Sequence, residues 1–153
     1  MEPPEFTPAL RQRLAVLAES YARLAGTPLV EPGDDLAAAL WRHPSAIVAH
    51  GTEDDPIFFF GNAAALAAFE FDFAAFTRLP SRLSAEPGLR AKREALLARL
   101  AAEGMIRDYS GIRISATGRR FPIDGVVLWD LIDRAGIRHG QAAMFDPPAV
   151  STP

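Results

Sequence analysis

Seven of the ten phenylalanines fall between positions 58 and 76, and three are consecutive in Pro56-Ile57-Phe58-Phe59-Phe60-Gly61-Asn62-Ala63-Ala64-Ala65-Leu66. Aromatic residues in series favour a strand covered on both faces. Alanine and leucine favour helix. The chain therefore changes from strand to helix across Gly61-Asn62, where Asn62 is suited to cap the new helix. Helices that follow a strand with this much aromatic mass must lie against a sheet. The rings then either fill the space beneath the helices or wall a pocket.

The remaining pattern supplies the sheet. Leu10, Leu14, Leu17, Tyr21 and Leu24 recur at spacings of three and four, which predicts a helix over residues 9–25 that Gly26 ends. Asp34 or Asp35 can cap a second, short helix reaching Arg42. Residues 45–50 and 57–60 read as two strands joined by the turn Gly51-Thr52-Glu53-Asp54-Asp55. Asn62 and Asp72 cap short helices, and a longer one over residues 89–103, with Leu89, Leu96, Leu97 and Leu100 inward, stops at Gly104. Strands over residues 105–115, 119–132 and 137–145 follow, linked by hairpin turns. Strict alternation puts Ile106, Ile112, Ile114, Phe121, Ile123, Val127 and Trp129 on the buried face. It puts Arg107, Tyr109, Arg113, Val126 and Leu128 on the other. The expected fold is α+β: a five-stranded antiparallel sheet with a helical arch on one face and an N-terminal helical extension.

Composition narrows the function classes. The 153 residues suffice for one domain with a core of its own. There is no cysteine, which removes disulfides, thiolate nucleophiles and Cys-ligated metals. The three histidines, His43, His50 and His139, lie in different elements without ligand spacing, so no metal site is expected. A net charge of −3 argues against a general nucleic-acid footprint. No apolar run is long enough to span a bilayer, and the first residues lack a secretion-signal pattern. A cytoplasmic location is the expectation. No nucleophile elbow, P-loop or dinucleotide fingerprint appears, so no catalytic residue is assigned and the chain is read as a non-enzyme.

Four separated stretches, residues 55–72 from Asp55-Pro56-Ile57-Phe58-Phe59-Phe60-Gly61-Asn62 onward, residues 79–87 from Leu79-Pro80-Ser81-Arg82-Leu83-Ser84 onward, residues 104–123 and residues 140–145, together resemble the MEKHLA family, a PAS-related module. The resemblance covers roughly residues 47–145. It implies a PAS-like sensory or regulatory domain; on the element reading that domain is expected over residues 45–146, after a helical extension over residues 1–44 and before a tail over residues 147–153 whose composition predicts disorder. In that family the module ends plant homeodomain–leucine zipper proteins or stands alone in bacterial ones, and this chain resembles the stand-alone form. The family's motifs name no cofactor. The arch offers no histidine for a haem iron, and covalent flavin chemistry needs a cysteine; a non-covalent flavin stays open.

Two functions follow. In the first, a small molecule binds between sheet and arch and the response passes through dimer or partner contacts. Its candidate pocket is Phe58, Phe60, Asn62, Phe69, Phe76, Ser81, Arg82, Ile112, Ile114, Phe121, Trp129 and Gln141. Arg82 would hold a carboxylate or phosphate there, unless it points to solvent or pairs with Glu86. In the second, the core is filled and the protein is an interaction or dimerisation module. Its working surface is the outer sheet face with Leu10, Leu14, Leu17, Tyr21, Val126 and Leu128. A homodimer is the expected assembly, and a signalling protein the expected further partner.

Overall fold

The structure is a computed structural model that describes residues 1–33, 35–85 and 90–148. The expectations placed on Asp34, Glu86, Leu89 and residues 149–153 fall outside them. Thr7 caps α1 (Pro8–Ala25) by accepting the Leu10 N–H at 3.1 Å, and Gly26, at φ 78°, closes it. Asp35 caps α2 (Leu36–Trp41), Asn62 caps α3 (Ala63–Phe69) and Asp72 caps α4 (Phe73–Phe76), each through its side chain. A 3₁₀ turn, Ser81–Ser84, leads on to α5 (Arg90–Glu103), and Gly104 turns the chain at φ 77°. The strands are β1 (Ala46–His50), β2 (Phe58–Gly61), β3 (Met105–Ile114), β4 (Arg120–Ile132) and β5 (Arg138–Phe145).

All strand pairs are antiparallel, in the order β2-β1-β5-β4-β3. The last strand thus pairs with the first, and the two ends of the sheet-forming chain meet at its centre. Residues from α3, α4 and α5 pack on one face, the arch face, with Ala46, Val48, Phe58, Ile106, Phe121, Ile123, Val126, Leu128 and Phe145. The opposite, back face carries α1 and α2, packed on Ile47, Ala49, Phe60, Trp129, Leu131 and Ala142.

The faces depart from strict alternation because the ladder is bulged. Tyr109 pairs with Val126 but Gly111 with Ile123, so Asp124-Gly125 contributes one extra residue. Gly125 sits at φ 59°, a conformation that an L side chain resists. An extra residue inverts every later side chain. Trp129, expected on the arch face, therefore lies on the back face. Val126 and Leu128, expected on the back face, are buried under the arch. A second irregularity, between Ile106 and Tyr109, inverts β3 in the same way. Ile112 and Ile114 share the back face with Pro122 and Arg120, while Tyr109 and Arg113 take the arch face. In β2 the extra residue is Phe59: His50 pairs with Phe58 and Ala49 with Phe60, which sends Phe60 to the back face. In α5, Leu100 is buried and Leu96 half-buried, but Leu97 is 46% exposed.

Candidate functional site

The space between arch and sheet is occupied by the chain's own rings. Phe58 and Phe76 stack with centroids 4.2 Å apart. Phe69 touches both, and also meets Phe121 at 5.4 Å and Phe145 at 6.2 Å, edge to face. Such pairs add ~0.5–1.5 kcal/mol each beyond the apolar area they bury. Gly61 is part of the same fit: a Cβ there would stand 2.7 Å from the Phe76 ring. The Phe-Phe-Phe-Gly-Asn sequence now has a physical reading. Phe58 supplies the arch core, Phe59 the bulge, Phe60 the back core, Gly61 the clearance for Phe76, and Asn62 the cap.

Asn62 is fully buried and its polar atoms are committed to backbone. Its Oδ1 accepts the Ile47 and Ala65 N–H groups, both at 3.0 Å. Its Nδ2 donates to the carbonyls of Ser45 at 2.8 Å and Leu40 at 3.1 Å. One side chain thus ties the end of α2, the start of β1 and the start of α3. The Ser81-Arg82-Leu83-Ser84 turn is likewise self-contained. Arg82 Nε donates to Asp55 at 3.1 Å in an exposed pair, and Ser84 Oγ donates to the Ser81 carbonyl at 2.7 Å. Gln141 does face the arch side, in one cross-strand row with His50 and Asp130, half-buried beyond the phenylalanines.

Of the twelve candidate pocket residues, the structure brings Phe58, Phe69, Phe76 and Phe121 together. Asn62 and Gln141 stand at the margins, and Ser81 and Arg82 lie on the adjoining turn. Phe60, Trp129, Ile112 and Ile114 are on the other side of the sheet.

The back face holds α1 by polar as well as apolar contacts. Leu14, Leu17 and Tyr21 point into it, with the Tyr21 ring edge-on to Trp129 at 5.1 Å. Trp129 Nε1 donates to the Leu17 carbonyl at 3.1 Å. Ser20 Oγ, fully buried, donates to the Ile132 carbonyl and accepts the Ile132 N–H, both at 3.0 Å. Arg13 lies 3.8 Å over the Phe59 ring, and its burial there lowers its pKa, against the raising effect of Glu53. Sequence reasoning passed over Ser20 and Arg13. Ser20 did carry a signal, since it falls on the apolar stripe between Leu17 and Leu24. It also missed Glu70, a non-glycine residue at φ 62°, whose carboxylate accepts from Thr117 Oγ1 and from Arg119 Nε at 3.1 Å, clamping α3 to the β3–β4 turn.

Two open grooves of about 330 Å³ each flank Leu24 at the far end of α1. One is lined by Arg99, Glu103, Arg107 and Asp108, the other by Asp130, Asp133 and Arg134. Among the described residues there is no group of three or more metal-ligating side chains, and no helix is long and apolar enough to cross a membrane.

Comparison with known proteins places this geometry. The model of the MEKHLA domain matches residues 11–147. Homeobox-leucine zipper protein HOX10 of Oryza sativa, in both its indica and japonica forms, is 29% identical over 137 residues. That match covers 84% of this chain but only 16% of the length of the rice protein. Among solved structures, the PAS domain of a protein from Colwellia psychrerythraea superposes with a TM-score of 0.62 at 12% identity, over 73% of this chain and 92% of that one. An RNA-binding light-oxygen-voltage receptor gives 0.60 at 20% identity, over 72% of this chain and 31% of that one. The light-state dimer of the fungal photoreceptor Vivid gives 0.59 at 12% identity, over 95% and 97%. At these identities the likeness is one of fold: a PAS-like sheet with its helical arch.

Proposed function

This chain belongs to the MEKHLA domain family, and from that premise we propose that it is a PAS-type regulatory module acting through protein contacts, with its arch-to-sheet space filled by its own side chains. The observation that carries this is the aromatic cluster of Phe58, Phe69, Phe76, Phe121 and Phe145 beneath the arch. Pockets that take small molecules are concavities of ~300–1,000 Å³ with a few convergent polar groups. Here the rings are in mutual contact, and the buried amide nearest to them, Asn62, is engaged with backbone at both ends. A ligand between sheet and arch would have to displace Phe76 from its stack. The packing therefore supports the interaction module over the ligand sensor. α1 covers the back face within one copy, so the partner surface lies where α1 does not reach.

Native mass spectrometry of the purified full chain, with its absorption spectrum and a thermal-shift screen against small metabolites, tests the reading. The expected result is the bare chain mass, no absorption beyond the aromatic band and no stabilisation by any metabolite. A co-purifying small molecule, or a metabolite that raises the melting temperature and loses its effect in Phe76→Leu, would replace this reading with the sensor.

A further inference from the structure

We draw no further inference here: the strongest candidate, the partly exposed patch of Ile112, Ile114 and Pro122 at the β3–β4 end of the back face, carries nothing because nothing in the structure shows what covers it.

Discussion

Asn62 shows how much one buried amide can decide. An exposed N-cap contributes ~1 kcal/mol. Asn62 does more, because its removal leaves the Ile47 N–H and the Ser45 carbonyl as well as the cap N–H without their side-chain partner, while the Leu40 carbonyl keeps the His43 N–H. Each buried group left unsatisfied costs ~1–3 kcal/mol. Asn62→Ala should therefore lower unfolding free energy by ~3–5 kcal/mol, against ~1 kcal/mol for Asp72→Ala at the exposed cap of α4. Asn62→Asp should recover little, since a carboxylate would face two carbonyl oxygens in place of an amide donor. Urea titration of the three variants checks this, and similar losses at Asn62 and Asp72 would refute it. The cap was readable in the sequence from a polar residue ahead of an alanine run. The three-way tie was not, because it depends on where α2 and β1 end in space.

At the level of elements, what could be read were the punctuation and the periods. The caps at Asn62 and Asp72 and the stops at Gly26 and Gly104 stand where the residues alone put them, and Asp35 takes the cap that the sequence left open between two aspartates. The faces of β3 and β4 did not follow, since a bulge costs one residue and reverses all that come after it. Asp124-Gly125 inside a run of β-formers was the available sign, since glycine within a strand often marks a bulge. The bulge makes its own prediction. A Cβ at Gly125 would meet nothing within 4 Å, so substitution is opposed by backbone conformation alone. Gly125→Ala should cost ~1–2 kcal/mol, and Gly125→Asn less, because asparagine tolerates the left-handed region. Equal or reversed costs in thermal unfolding would mean that the strand is regular there and that Trp129 belongs beneath the arch.

For the whole molecule, the decisive arrangement is that both sheet faces are closed within one chain, by phenylalanines on one side and α1 on the other. The sequence left open whether α1 shields its own sheet or a partner's, since an amphipathic stripe does not name the surface it covers. Three carboxylates help to hold this arrangement, each linking separate elements. Asp35 accepts from Arg11 between α2 and α1, Glu70 from Thr117 and Arg119 between α3 and the β3–β4 turn, and Asp133 pairs with His139 across the β4–β5 turn. In each case the hydrogen bond to that partner is the largest cause of a pKa below the ordinary 3.8 for Asp or 4.5 for Glu. A carboxyl whose folded pKa lies below its unfolded one adds stability that is complete above the unfolded value and is lost as the pH falls through the folded value. The urea midpoint should therefore be level between about pH 7 and pH 5 as far as these groups are concerned, then fall through the acid range below about 4.5. Asp35→Asn, Glu70→Gln and Asp133→Asn combined should flatten that acid fall while lowering the midpoint near neutrality. A triple variant with the parent's acid profile would show that the elements are held by packing alone, and that these links between them follow the fold without stabilising it.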